Sequence, residues 1–76
     1  MGIDRLVTMA NEIAAFFEGA SDSEKEAAEN VAAHLRRFWA PQMRKKIVEH
    51  VSEGGEGLAP VARAAIELLA ADIEHA

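Results

Sequence analysis

A chain of 76 residues with a net charge of −5 and no cysteine is long enough for one small domain only. The lack of cysteine excludes a disulfide scaffold, thiolate zinc sites and protein-bound iron–sulfur clusters on this chain, and the acidic balance argues against general nucleic-acid binding. Hydrophobic residues make up 50% of the chain, but sixteen alanines are among them, so the larger apolar side chains that build a core are few.

The beginning of the chain lacks the pattern of a secretory signal. Its first residues, MGIDRLVTMANE, include acids and no continuous apolar segment. No apolar run approaches the roughly 20 residues that cross a bilayer, and a small domain without disulfides fits a reducing compartment. We therefore expect a cytoplasmic protein that does not associate with membranes.

Helix start and stop signals divide the first half of the chain into two predicted helices. Helix one runs roughly over Asp4–Glu18 and ends at Gly19, because glycine tolerates the left-handed conformation of a helix C-terminus. Helix two starts at a capping box, Ser23–Glu26. It ends near Trp39, because the residue before Pro41 disfavours the α region.

The second half of the chain predicts two more helices. Pro41 suits the first turn of helix three, although Ala40 is a poor N-cap. Helix three ends at the glycine-rich turn Ser52–Gly57, and helix four runs from Pro60 to about Ile73. No window alternates with a period of two, and the connections are short. We therefore predict an all-α fold for residues 1–76, a small four-helix bundle of antiparallel helix hairpins.

Helices one and four carry apolar faces that are wide for surface helices. In helix one, the face either touches two other helices or leaves Met9 and Phe16, at one edge, for a partner. In helix four, either helix one covers the face or Ile66 and Ile73 remain for a partner, since surplus apolar patches mark interaction sites. The same edges allow a homodimer of the isolated chain.

The end of helix two combines aromatic and basic residues. Helical periodicity places Leu35 and Phe38 on the buried face, with His34 at its edge as a packed residue rather than a ligand. Trp39 either closes the core or is displayed to a partner, because aromatic residues are enriched at interface hot spots.

The corner between helices two and three is also basic. Five of the eight Lys and Arg residues lie between Arg36 and Lys46. They form a solvated surface or meet an acidic partner.

Arg44 lies in the middle of the apolar side of helix three. An unpaired buried charge is very costly. Arg44 is therefore expected to pair with a carboxylate, to extend along its aliphatic stem towards water, or to face a partner.

No residue pattern predicts catalytic, cofactor-binding or metal-binding residues. The serines lie in caps and turns, and the three histidines are far apart in sequence. The turn Gly54–Gly57 follows a helix and lacks the Lys-Ser/Thr of a phosphate-binding loop. These patterns favour a protein that docks onto another over one that turns over a substrate.

Most of the chain resembles one family. The run Arg36–Arg44 (RRFWAPQMR), the turn Gly54–Pro60 (GGEGLAP) and the N-terminal stretch Arg5–Ile13 (RLVTMANEI), followed by Phe16-Phe17, resemble the delta subunit of NAD-dependent formate dehydrogenases, the FdsD family. The chain departs from the family's usual Asp and Arg at Ala40 and Gln42.

The resemblance implies a non-catalytic accessory subunit that supports assembly and stability of the catalytic (alpha) subunit. The holoenzyme's cofactors would then lie on other chains: molybdopterin guanine dinucleotide with molybdenum or tungsten, iron–sulfur clusters, FMN and NAD. An alternative role is a transient maturation chaperone for insertion of the bis-molybdopterin guanine dinucleotide cofactor. A third hypothesis is a small helical module that binds nucleic acid or regulates another protein. The negative net charge and the short turn at Pro41, shorter than in a helix-turn-helix motif, oppose this hypothesis.

The predicted partner-binding residues fall into two groups. The first lies at the corner between helices two and three, and the second on the apolar edges: Arg36, Arg37, Trp39, Pro41 and Arg44; Met9, Phe16, Ile66 and Ile73. On this prediction, Trp39→Ala or Arg44→Ala weakens complex assembly while the isolated domain stays helical.

Overall fold

Four helices account for most of the protein in the computed structural model, which describes the backbone of residues 2–74 and the side chains of residues 2–72. They are α1 (Ile3–Ala20), α2 (Glu24–Phe38), α3 (Pro41–Ser52) and α4 (Pro60–Glu74). The described residues include no strand. The predicted all-α bundle is therefore confirmed, and the predicted helix boundaries agree to within about two residues.

The α1–α2 connection is shorter than predicted. Gly19 is helical, so the prediction that it ends helix one is wrong, and the helix continues to Ala20 before Ser21 turns extended. The Ser23 hydroxyl accepts a hydrogen bond from the Glu26 N–H at 3.1 Å, as the capping box predicts. The Glu26 carboxylate accepts from the Asp22 N–H at 3.4 Å, rather than from that of Ser23.

The turn between α3 and α4 forms at the three glycines, as the sequence predicts. Gly54, Gly55 and Gly57 all have positive φ, at 119°, 65° and 88°. The Gly54 N–H donates to the Val51 carbonyl at 3.0 Å and the Gly55 N–H to the His50 carbonyl at 2.9 Å. These two bonds form a Schellman motif, which satisfies carbonyls at the end of α3 and needs a left-handed residue at Gly54.

The core is built mainly from α2 and α4. Helix α4 packs against all three other helices, most extensively against α2. Helices α1 and α2 form one packed hairpin and α3 and α4 another, whereas α2 and α3 barely touch across the corner at Pro41. The buried core residues are Leu6, Ala10, Ala14, Ala27, Ala28, Val31, Ala32, Leu35, Trp39, Ile47, Val61, Ala62, Ala65, Ile66 and Leu69.

Asn11 ties the glycine-rich turn to α1. Its Nδ2 donates to the Gly57 carbonyl at 2.9 Å, and its Oδ1 accepts from the Ala59 N–H at 2.9 Å. Arg63 adds a hydrogen bond from Nη2 to the Gly54 carbonyl. His50 Nε2 lies at hydrogen-bond distance, 2.8 Å, from the Glu56 carbonyl. The turn between α3 and α4 is therefore held by side chains from α1, α3 and α4, and Asn11 satisfies the backbone just before α4 starts.

Substitution of Asn11 by alanine is expected to lower the free energy of unfolding by about 1–3 kcal/mol, because the half-buried Ala59 N–H loses its acceptor. Thr8→Ala is the control, since the Thr8 hydroxyl only bonds the Asp4 carbonyl of its own helix; we expect a change within about 0.5 kcal/mol. Urea unfolding of both variants measures the difference. Equal midpoints would show that the Asn11 contacts contribute nothing to stability.

Candidate partner-binding surface

Four aromatic rings form a continuous row across α1 and α2, here called the aromatic patch: Phe16, Phe17, His34 and Phe38. The ring centroids of Phe16 and Phe17 are 5.1 Å apart, in an edge-on arrangement. Those of Phe17 and His34 are 5.9 Å apart, and those of His34 and Phe38 are 4.7 Å apart. These separations lie within the range of favourable aromatic contacts, so the rings hold one another in place.

The two ends of the aromatic patch are open to solvent. Phe16 is 68% exposed and Phe38 is 66% exposed, while Phe17 and His34 are half-buried between them. Exposed phenylalanine rings gathered in one place are typical of protein interaction sites, whereas scattered exposed apolar residues are ordinary. Phe16 therefore lies on the surface, as a partner-binding residue requires.

The prediction that Phe38 is buried is wrong. Phe38 is the last residue of α2, and the buried face of that helix ends one turn earlier at Leu35. The chain then turns, and the next residue, Trp39, is buried in its place at 5% exposure. Helical periodicity cannot locate this change, because it assumes that the helix continues along the core.

An open groove of about 350 Å³ lies beside the α1 end of the aromatic patch. Phe16, Phe17 and His34 form part of its lining, together with Glu12 and Ile13 of α1. The groove gives the patch a concave part that can accept an apolar side chain of a partner.

Basic residues border the patch at the α2 end. The guanidinium carbon of Arg37 is 5.7 Å from the centroid of the Phe38 ring, within cation–π range. Arg36, one residue earlier, pairs through Nε with the carboxylate of Asp72 and so links the end of α2 to α4. Both arginines are exposed, and their predicted contact with a partner stays a prediction.

Arg44 is held inside the corner by backbone carbonyls. Its Nη1 donates to the Arg36 carbonyl at 3.1 Å, the Leu35 carbonyl at 3.4 Å and the Trp39 carbonyl. Among the described residues, no carboxylate pairs with Arg44. The guanidinium caps the C-terminus of α2, where a cation is favourable because the last carbonyls of a helix have few helical partners.

The other predicted partner-binding residues differ in exposure. Pro41 is exposed at the start of α3, and Met9 is half-buried against the core. Trp39 and Ile66 are buried, Ile66 completely, so the structure corrects their placement on a partner-facing surface: both face the interior. The side chain of Ile73 lies outside the described residues.

Two further features concern cofactors and membranes. Among the described residues, no group of three or more His, Asp or Glu side chains is close enough to hold a metal ion. The helices described here are all too short or too polar to cross a bilayer.

Comparison with known protein families supports the sequence resemblance. The family model described as the NADH-dependent formate dehydrogenase delta subunit FdsD matches residues 5–66. That range includes the aromatic patch, the α2–α3 corner and the glycine-rich turn. Neither a curated protein nor a solved structure matches this chain.

Proposed function

Because the chain belongs to the FdsD family of NADH-dependent formate dehydrogenase delta subunits, we propose that it is a non-catalytic accessory subunit of a formate dehydrogenase complex. In this role it binds the catalytic subunit in the cytoplasm and supports assembly and stability of the complex. The molybdenum or tungsten cofactor, the iron–sulfur clusters, FMN and NAD belong, in this proposal, to the other subunits.

The observation that carries the docking role is the exposed aromatic patch. Each phenylalanine offers up to roughly 150–250 Å² for burial, so Phe16 and Phe38 together supply far less than the roughly 800 Å² per partner of a stable interface. The patch therefore supports the role of a hot spot at the centre of a larger contact, with Arg37 beside it as a hydrogen-bonding residue.

The double substitution Phe16→Asp with Phe38→Asp tests this role. We expect it to abolish co-purification of the catalytic subunit with the tagged chain from the native host, because each buried hot-spot residue contributes about 2 kcal/mol or more, roughly tenfold or more in affinity. The isolated variant is expected to remain helical by circular dichroism, since both rings are mostly outside the core.

The matched control introduces two aspartates at exposed positions outside the aromatic patch. Thr8 and Ala71 are both exposed and lie outside the aromatic patch, so Thr8→Asp with Ala71→Asp is expected to leave co-purification unchanged. Equal recovery of the catalytic subunit by the patch variant and the control would remove the patch from the interface.

A different result would support the alternative role of maturation chaperone. In that case the purified enzyme is active without this chain bound, but deletion of the chain from the host leaves the enzyme without its metal centre.

A further inference from the structure

A second apolar surface lies between α2 and α4, away from the aromatic patch. It is a groove of about 500 Å³, a size typical of sites that bind ligands or side chains. Its floor is formed by Ala28, Val61 and Ala64, and Leu68 of α4 forms one wall and is 38% exposed. The floor carries no polar side chain, so a partner gains contact here mainly by burying apolar surface.

The rim of this groove is acidic. Glu24, Glu29 and Glu67 line it, with Lys25 as the one cation among the lining residues. All four side chains are exposed, and the described part of the chain provides the three glutamates with no hydrogen bond or ion pair through their side chains. Three unpaired carboxylates around an apolar floor favour an occupant that is cationic at its edges and apolar at its centre.

The shape of the groove favours a helix as the occupant. The floor residues Ala28 and Ala64 belong to two packed helices, and their small side chains leave a channel into which a row of side chains of a third helix can pack. Binding of an amphipathic helix in an apolar groove is a recurring mode of recognition, whereas addition of a strand needs a sheet edge, and no strand occurs among residues 2–74. We propose that this groove binds a cationic amphipathic helix of another chain, with its apolar stripe on the alanines and its Lys or Arg residues opposite the glutamates.

This groove and the aromatic patch lie at opposite ends of α2. Glu24 is the first residue of that helix and Phe38 the last, which places them roughly 20 Å apart at 1.5 Å per residue. The groove and the aromatic patch share no residue, so their binding can be tested separately.

The test uses the full chain and two synthetic peptides of about 18 residues, five helical turns. One peptide has a leucine stripe with lysines on the other positions, and the second has glutamates in place of the lysines. Isotope-labelled protein reports the binding site through amide chemical shifts. We expect the lysine peptide to shift the signals of Ala28, Val61, Ala64 and Leu68, and the glutamate peptide to leave them unchanged.

A variant with two reversed charges tests whether the acidic rim binds the lysine peptide. Glu29→Lys with Glu67→Lys is expected to weaken binding of the lysine peptide about tenfold or more. The control, Glu18→Lys with Glu53→Lys, changes the net charge equally at exposed positions outside the groove, near helix C-termini where cations are well tolerated, and should bind like the unmodified chain.

Three results would overturn the inference: equal binding of both peptides, equal weakening by the rim and control substitutions, or shifts centred on Phe16 and Phe38 instead of the groove. The inference does not rest on the proposed function, because these measurements need no formate dehydrogenase. Its failure would leave the accessory-subunit role unaffected, and a failed co-purification experiment would leave the groove unaffected.

Discussion

Replacement of Trp39 by alanine is expected to lower the free energy of unfolding by about 3–5 kcal/mol, the usual cost of removing a buried large aromatic side chain. Trp39 is 5% exposed and closes the core at the α2–α3 corner. A domain of this size has roughly 4–11 kcal/mol of stability in total. The substitution therefore removes a large share of it, and urea or thermal unfolding followed by circular dichroism measures the loss.

The neighbouring Phe38 provides a matched control. It is also aromatic, one residue away, but 66% exposed, so Phe38→Ala is expected to change stability by no more than about 0.5 kcal/mol. Similar losses for the two variants would contradict the division of these adjacent rings into one core residue and one surface residue. A large loss for Phe38→Ala alone would return Phe38 to the buried face that helical periodicity predicts.

The second large effect concerns Arg44. Arg44→Met keeps most of the aliphatic stem but removes the guanidinium that caps the carbonyls of Leu35, Arg36 and Trp39. We expect a loss of about 1.5–3 kcal/mol, the contribution of hydrogen bonds that involve a charged group. Because the partners are backbone carbonyls of a half-buried corner, added salt should change the loss little.

Arg36→Met is the control for Arg44. Arg36 pairs with Asp72 on the surface, where both side chains are about half exposed, so its removal should cost at most about 1 kcal/mol and less at high salt. A loss for Arg44→Met that falls with salt in the same way would show that Arg44 acts as an ordinary surface charge.

From the sequence, Trp39→Ala and Arg44→Ala were predicted to weaken complex assembly while the isolated domain stays helical. The effect on assembly stays a prediction, but Trp39 is in the core and Arg44 bonds the backbone of α2, so substitutions at both positions are also expected to destabilise the domain. A lost interaction with a partner after either substitution would therefore not distinguish a lost contact from a damaged domain. The exposed rings of Phe16 and Phe38 are where assembly can be tested without unfolding the protein.

The features that could be predicted from the sequence are the starts and ends of helices, because these depend on residues close together in the chain. The capping serine at Ser23, the proline at the start of α3 and the three glycines before α4 act through backbone geometry within a few residues. Gly19 shows the limit of such predictions. A glycine inside a helix costs only about 0.5–1 kcal/mol, which the packing of α1 can offset, so its presence does not end the helix.

The remaining features depend on contacts that are distant in sequence. Asn11 bonds backbone groups 46 and 48 residues away, and nothing in its own helix indicates this. Arg44 finds its acceptors only because the chain folds back at Pro41. Ile66 is buried because α4 contacts all three other helices, so the wide apolar face that suggested a partner is largely covered by the protein itself.

The central position of α4 has a consequence for how the protein is made. Five of the fifteen buried core residues described belong to α4, the last of the four helices to be synthesised. Before α4 emerges from the ribosome, α1 and α2 can pair as a hairpin, but α2 lacks its most extensive contact, which is with α4, and α2 and α3 have almost no contact with each other. Synthesis proceeds at about 5–20 residues per second, and the core is completed only after α4 has emerged from the ribosome.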